Sequence, residues 1–543
     1  MRSLGILALA GSFGLLGGGC RAEARAGAGE RETGAERVVR IVATAEVKGT
    51  TEPCGCTSDP LGGVARVATL ARGGLWVDAG GLLYDREGIS AAMRPQADLK
   101  AERLARIYGE AGALVGLGPD DLARGPSHLS PPREAANVTG LPMATVAPVV
   151  RNVDGIKVGV FGVVSPERMK EVGVQAQAAE PAARAAILAL RKQGAQVIVA
   201  LLGMNRGEAR GLLRAVPGIG FGIVGAEVGE GMAEAEPVGG GFLVAPADLG
   251  RRVATIELHV RNGKVALTLF AGEAARRREI EEFGRRISTL TLQLASWRHD
   301  PTADQSFVTA RAAELEQLTA KRTALKSAHP TPPRASYFTY ALTPVDKSVA
   351  AAPKVVAELR ALDRQIGQVN LASAKKLPPL SPEPGKASYV GMAACAKCHQ
   401  KAVDFWQHTV HAQAWKTLVS VDKQYNYDCT GCHVTGWMKP GGANLATVEK
   451  RGLVNVQCEV CHGPGSIHVA EAGLEDPPSL TRRPADRFCA DNCHTKEHSD
   501  TFQLVPYLRD ILGKGHGEKL RASLGQGVTG HELRQKALQA AAH

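Results

Sequence analysis

The chain reads as a multidomain protein: a layered α/β domain, a helical hairpin, and a mostly α-helical carboxy-terminal domain organised around cysteine and histidine. Three patterns predict this. Short β-branched runs alternate with helical stretches between Val38 and Gly272. Apolar residues then step by three and four from Ile280. Four cysteine pairs, each followed directly by histidine, fall within residues 395–494. A length of 543 residues leaves room for three or four domains.

Residues 1–20 read as an export signal, with one early arginine (Arg2), an apolar run from Leu4 to Leu16 and a small-residue patch ending at Cys20. Cys20 follows three glycines and resembles the lipidation site of a bacterial lipoprotein, although Gly17 stands where that box takes a larger aliphatic residue; plain cleavage is the alternative. The mature protein is therefore expected in the periplasm or at the outer surface. Membrane contact is expected only through a lipid at Cys20, because no later segment has the roughly 20 apolar residues of a span.

Residues 21–37, rich in Ala, Gly, Glu and Arg, read as a tether. The α/β domain follows at 38–272, with strands expected at Val38–Thr44, Leu75–Asp78, Val158–Val163, Val197–Leu202, Phe221–Val224, Thr255–Val260 and Val265–Leu269. A helical connector is expected over 273–375. In it Ile280, Phe283, Ile287, Leu290, Leu294 and Trp297 face Val308, Leu315, Leu318 and Leu325 across the turn His299–Asp304, and a third helix covers Val355–Asn370. The Pro-rich stretch 376–388 reads as a stiff linker, 389–520 as the carboxy-terminal domain and 521–543 as a tail.

The formal charge of +11 raises nucleic acid as a partner, but its distribution argues against it. From Lys386 onward there are 18 Lys and Arg against 15 Asp and Glu, so most of the surplus sits in residues 1–385, where an exported protein meets little nucleic acid. Solvated helix faces account for these charges; a partner-docking patch is the alternative. The oligomeric state is not legible.

The cysteine motifs are Cys395-Ala-Lys-Cys398-His399, Cys429-Thr-Gly-Cys432-His433, Cys458-Glu-Val-Cys461-His462 and a longer variant, Cys489-Ala-Asp-Asn-Cys493-His494. Two thiols at this spacing can add to the two vinyl groups of one porphyrin while the next imidazole reaches the iron. Paired cysteines alone would also fit a zinc ribbon or a redox dithiol. A histidine after every pair, in a chain with only 15 histidines, points instead to covalent haem c, four per chain. At the longer fourth site the alternative is a disulfide with His494 as bystander. About 150 residues carrying four haems leave little room for an ordinary apolar core, so the porphyrins themselves are expected to form it.

Each iron has a sixth position. The expected distal ligands are His411, His468, His498 and His516, while His408 is expected to face solvent or a propionate.

On these motifs, together with Tyr389-Val-Gly, Trp406, Thr409-Val-His411-Ala-Gln-Ala, Cys432-His433-Val-Thr-Gly436, Val456-Gln-Cys458-Glu-Val-Cys461-His462-Gly-Pro-Gly465 and Cys493-His494-Thr495, residues 388–518 resemble the tetrahaem cytochrome c family of hydroxylamine-oxidation electron acceptors. The resemblance implies four closely packed haems, mostly with two histidine ligands, one of them able to stand five-coordinate. The three-residue loop at Cys489–Cys493 departs from it.

Residues 38–272 in turn resemble the calcineurin-like metallophosphatase domain of secreted 5′-nucleotidases. The landmarks are Arg40–Thr44, Trp76-Val-Asp78-Ala-Gly80, Val115–Gly118, Val158–Val164, Val197–Leu202 and Ile223–Gly225. Active members hold two metals on Asp and His at these strand ends. Here Ala45-Glu46, Gly80-Gly81, Gly118-Pro119-Asp120, Leu202-Gly203 and Gly225-Ala226-Glu227 stand in those places, and the resemblance implies a retained fold without hydrolysis. Asp78 and Asp120 remain, and as isolated aspartates read as turn or cap residues.

Glu52-Pro53-Cys54-Gly55-Cys56, in the loop after the first strand, places two cysteines one residue apart, a short spacing for a mutual disulfide. The pair reads as a metal-binding thiolate pair, a redox-active pair, partners for another chain, or an inert reduced pair. The leading functional expectation is an exported electron-transfer protein with redox protein partners. Its rivals are a multihaem oxidoreductase acting on a small nitrogen or sulfur compound at an open haem, and a nucleotide phosphoester hydrolase.

Overall fold

The computed structural model describes residues 36–540 apart from 54–55, 87–88, 142–144, 300–303, 329, 378, 475–476 and 496. The expected export signal, Cys20 and Cys54 thus lie outside the described residues.

The strands of the α/β unit are β1 (Arg37–Thr44), β2 (Leu75–Asp78), β3 (Leu114–Gly116), β4 (Arg133–Glu134), β5 (Thr145–Val146), β6 (Val149–Val153), β7 (Ile156–Val164), β8 (Val197–Gly203), β9 (Phe221–Val224), β10 (Glu236–Val238), β11 (Gly241–Val244), β12 (Arg252–Val260) and β13 (Tyr337–Pro344). Among the described residues they form a seven-stranded sheet, ordered β13-β12-β1-β2-β3-β4-β5, and a six-stranded sheet, ordered β10-β11-β9-β8-β7-β6. From β1 to β5 the strands run parallel, as do β7, β8, β9 and β11.

The helices are α1 (Val64–Ala71), α2 (Arg94–Glu110), α3 (Pro166–Glu171), α4 (Ala179–Lys192), α5 (Arg206–Ala215), α6 (Gly272–His299), α7 (Gln305–Ser327) and α8 (Pro353–Lys376). The two sheets pack face to face. Val39, Ile41, Ala43 and Val77 from one and Val158, Val160, Val199 and Ile223 from the other share a core that also takes Leu190 of α4 and Leu213 of α5. Val42, Trp76 and Val115 point the opposite way, into a second core with Val67 of α1, Leu104 of α2 and Leu362 of α8. Four layers result, helices, sheet, sheet, helices, and a strand such as β8 is buried along its whole length, which is why its sequence is a continuous apolar run rather than an alternation.

The layered α/β expectation holds, with two corrections. Residues 265–269 do not form a strand: that segment touches the outer edge of β13 through Phe338 N–H to Thr268 O (2.9 Å) and Phe270 N–H to Phe338 O (2.8 Å) only, because β13 itself takes the edge of β12 over eight residue pairs. The stretch 273–375 is not purely a connector either. After the hairpin the chain returns to the sheet as β13, whose Phe338 packs edge-on to Phe221 and Phe242, and α8 then closes over α1 and α2. The hairpin is antiparallel, with Leu290, Leu294, Val308 and Leu318 as its seam; Trp297 meets Phe307 beside the turn, and Arg276 caps the carbonyl of Leu325 at the far end.

The carboxy-terminal region is built from short helices: α9 (Met392–Trp406), α10 (Ala414–Val419), α11 (Tyr427–His433), α12 (Cys458–His462), α13 (Ser466–Ala470), α14 (Phe488–Asn492), α15 (Leu504–Ile511), α16 (Glu518–Ser523) and α17 (Gly530–Ala540). Its apolar cluster is small, with Val434, Ala443, Val448 and Leu453 at the centre. The Pro-rich linker lies against it: Leu380 O accepts Gly441 N–H (2.8 Å), and Leu377 O accepts Asn444 Nδ2 (2.8 Å).

Phe338→Ala should destabilise the α/β unit by about 3–5 kcal/mol, as expected for a fully buried aromatic. Urea unfolding followed by circular dichroism measures it; a change under 1 kcal/mol would mean that β13 is not part of this core.

Candidate functional site

The first three cysteine pairs sit on helices that end at or kink beside their histidine, while in the fourth motif α14 ends at Asn492, with Cys493 as its C-cap and His494 just beyond. In α9 the helix breaks at His399, where φ is −112° and ψ 36°; α11 and α12 terminate at His433 and His462. Glu459, inside the third motif, is buried and accepts the N–H groups of Val390 (3.0 Å), Gly391 (2.7 Å) and Gly465 (2.8 Å). That one carboxylate ties the start of the domain and the Gly-Pro-Gly turn to the motif. Trp406 Nε1 donates to Val456 O (2.8 Å), joining α9 to the same segment.

The attachment cysteines are interleaved. The Cys395 thiol is hydrogen-bonded to Cys458, and that contact, the largest influence on either, pushes Cys395 well up and lowers Cys458 to about 7. Cys493 stands in the same relation to Cys432 and is likewise pushed up. Burial raises Cys461 to about 11, with Cys489 nearby as the next cause. First and third, second and fourth, and third and fourth motifs are thus neighbours in space.

The histidines form opposed pairs drawn from different parts of the chain. Ring centres of His399 and His468 are 6.4 Å apart, those of His494 and His411 6.3 Å, and those of His462 and His516 6.0 Å. A metal–imidazole bond of about 2.0–2.1 Å puts each ring centre roughly 3 Å from its metal, so two rings on one iron stand about 6 Å apart. The residues therefore fit the group that the motifs imply.

The ring nitrogens are oriented as ligation requires. Nδ1 of His433 lies 2.6 Å from Ala414 O, that of His462 2.7 Å from Thr481 O, and that of His516 2.8 Å from Ile511 O. Nδ1 of His494 meets Ser499 Oγ at 3.1 Å. A donor Nδ1–H fixed on a carbonyl leaves Nε2 as the bare, basic nitrogen. Burial, followed by the nearby His494 and His433, holds His411 at about 4, keeping it in the neutral form a metal takes.

One expected distal ligand is placed apart. His498 is exposed, with Nδ1 on Thr495 Oγ1 (2.8 Å), and no ring is paired with it among the described residues; the residue facing His494 is His411. His408 is exposed.

In the α/β unit the strand ends converge on a polar cleft of about 420 Å³ lined by Glu46, Lys48, Asp85, Arg86, Asp120, Arg168 and Glu227. Cations and carboxylates alternate across it: Lys48 reaches Glu46 (3.4 Å) and Asp120 (4.0 Å), Arg86 reaches Asp120 (3.5 Å), and Arg168 reaches Glu227 (2.9 Å). Beneath it, Asp78 accepts Thr44 Oγ1 (2.6 Å) and Gly80 N–H (2.9 Å), and burial pushes it up to about 7.

The carboxylate that sequence reasoning missed is Asp121. It accepts the N–H groups of Gly81, Leu82, Leu83 and Gly118 at 2.9–3.0 Å and pairs with the fully buried Arg133 at 3.4 Å. The capping pattern of Gly118-Pro-Asp-Asp121 was the available signal. Cys56 is exposed in the loop that follows β1.

A covalent-haem site is what this geometry defines, repeated along one domain. Comparison with known proteins gives the kind: the family model described as cytochrome c554 and c-prime matches residues 394–463. Cytochrome c-554 of Nitrosomonas europaea is 34% identical over an alignment of 94 residues, and the match covers 14% of this chain and 40% of that protein. The chain thus spans well under half the length of this relative. The carboxy-terminal domain is cytochrome c554-like, and covalently bound haem c belongs to that family.

Among solved structures, the chain is similar to the 5′-nucleotidase precursor of Thermus thermophilus (16% identity, TM-score 0.41, covering 71% of this chain and 68% of that one). It is also similar to a calcineurin-like phosphoesterase of Bacillus subtilis (22% identity, TM-score 0.35, covering 43% and 88%).

Glu134 in β4 is 3% exposed, its Oε2 has no hydrogen-bond partner, and burial pushes it up to about 8. The unfolded carboxyl ionises near 4.5, so between about pH 4.5 and 8 the folded state holds the extra proton and stability falls as pH rises. Asp78 acts in the same direction. The urea midpoint should drop from pH 5 to pH 8, and Glu134→Gln should flatten that slope; an unchanged slope would contradict the burial of an uncompensated carboxyl.

Proposed function

We propose that this protein is an exported electron carrier with four covalent haem c groups, in which the α/β unit is a platform for a partner or ligand rather than a hydrolase. The observation that carries the reading is the set of three opposed imidazole pairs at 6.0–6.4 Å, each joining a motif histidine to one from elsewhere in the chain. When bound, haem c supplies an iron that takes up and releases single electrons.

The chain's own residues do the rest. His399 with His468, His494 with His411, and His462 with His516 would close both axial positions of three sites, a ligand set that favours outer-sphere transfer over substrate chemistry. Interleaved cysteines would bring the attachment edges of neighbouring porphyrins together. The carbonyls of Ala414, Thr481 and Ile511 hold the rings in the tautomer that presents Nε2.

In the α/β unit Glu46, Asp120, Asp121 and Glu227 are engaged with side-chain cations and Asp78 with a backbone N–H group, which supports a binding role in place of phosphoester hydrolysis. Export, with a periplasmic or outer-surface location and a lipid at Cys20, rests on residues 1–20, and redox proteins are the partners this role requires.

One observation favours a second reading, in which one haem handles a small nitrogen or sulfur compound. His433 has its Nδ1 fixed on Ala414 O, yet among the described residues no histidine ring is paired opposite it, so its site is the candidate for an open position.

His468→Ala, His411→Ala and His516→Ala should each convert one low-spin haem to high-spin by electron paramagnetic resonance without lowering the pyridine haemochrome count. Cys395→Ser/Cys398→Ser should lower that count by one. Variants that leave every haem low-spin would overturn the pairing.

A further inference from the structure

The two halves of the chain meet at several places, among them Ser58 with Asp500 and Asn444 with the carbonyl of Ala374, and most densely on one segment, Lys423 to Asp428, which leads directly into the second attachment helix. Lys423 O accepts Asn426 N–H (3.1 Å), and Asn426 O accepts Cys429 N–H (3.0 Å), so Lys423 sits just ahead of the Cys429 anchor. Five residues of the α/β unit converge there. Glu52 forms an ion pair with Lys423, and Asp363 of α8 lies 3.6 Å from the same ammonium. Lys100 of α2 pairs with Asp428. Gln96 Oε1 accepts Tyr427 N–H (3.1 Å) and Asn370 Nδ2 (2.7 Å), while Asn370 Nδ2 also donates to Tyr425 O (2.9 Å).

Gln96 and Asn370 are 1% and 0% exposed. Buried amides aimed at the backbone of another unit make this a specific joint rather than a chance apposition. The same ammonium is near enough to the Cys429 thiol for the two to interact electrostatically.

We infer that Lys423, partly neutralised by Glu52 and Asp363, sets the reduction potential of the second haem, so that the α/β unit tunes the electron path through the charges it brings to this joint. The inference rests on haem attachment at Cys429–His433. A cation beside a haem stabilises the reduced, less positive state and raises its potential; a carboxylate on that cation lowers it again. Lys423 is thus a positioning charge that acts through the field at the haem edge. The charged groups facing it are Glu52 on the loop after β1, Asp363 on α8 and, behind Asp363, Lys100 on α2.

The test is a spectroelectrochemical titration of the full-length holoprotein at pH 8, where Asp363, which burial pushes up to about 6, is ionised. The wave lost in Cys429→Ser/Cys432→Ser identifies the second haem. Lys423→Met should move that wave down by about 59 mV, a tenfold change in its reduced-to-oxidised ratio, and Glu52→Gln should move the same wave up, with the other waves fixed. Opposite shifts on one haem separate a charge effect from a packing disturbance, which would move both variants in the same direction. Unmoved waves or shifts of the same sign overturn the inference while leaving the electron-transfer reading intact. A wild-type protein without haem on Cys429 and Cys432, shown by peptide mass, overturns both.

Discussion

The opposition of two imidazoles across about 6 Å is the constraint on which the carboxy-terminal domain depends. The domain has only a small apolar cluster around Val434, Val448 and Leu453, too little to order some 150 residues by hydrophobic burial. What orders it is a polar frame: Nδ1 of His433, His462 and His516 fixed on carbonyls, Glu459 gathering three backbone N–H groups, and Trp406 tied to Val456. Covalent haem then supplies the apolar mass, and the free energy of metal ligation becomes part of the free energy of folding.

The α/β unit shows the complementary economy. Its sheets are conventionally buried, but the strand ends, where open α/β sheets place their ligands, carry a mesh of alternating charges. Arg133 with Asp121, Lys48 with Glu46 and Asp120, and Arg168 with Glu227 neutralise one another. A cleft of this kind is charged rather than apolar. It gives the unit a second use, as a body that brings Glu52, Asp363 and Lys100 to the haem domain.

Much of this was legible in the sequence because the signals were local. The six strands from Val38 to Val260, the hairpin seam through Leu290 and Leu318, and the four cysteine motifs depend on spacing alone. What escaped depended on distance. β13 is recruited by the edge of β12 after 76 intervening residues, and nothing in Tyr337–Pro344 announces that partner. Residues 265–269 have strand composition but lose the edge to β13. Asp121 was passed over for its neighbour Asp120, because which of two adjacent aspartates turns inward is decided by the buried Arg133. His498 and His411 are both histidines near motifs, and only the fold decides that His411 faces His494 while His498 binds Thr495 at the surface.

The central claim is that the chain binds four haems, three of them between paired histidines. Pyridine haemochrome stoichiometry combined with electron paramagnetic resonance on holoprotein matured with a c-type haem assembly system tests it most directly. Four haems per chain, three of them low-spin with two histidine ligands, is the result the account predicts. Fewer than four haems per chain, or four haems without three low-spin bis-histidine signals, would contradict it.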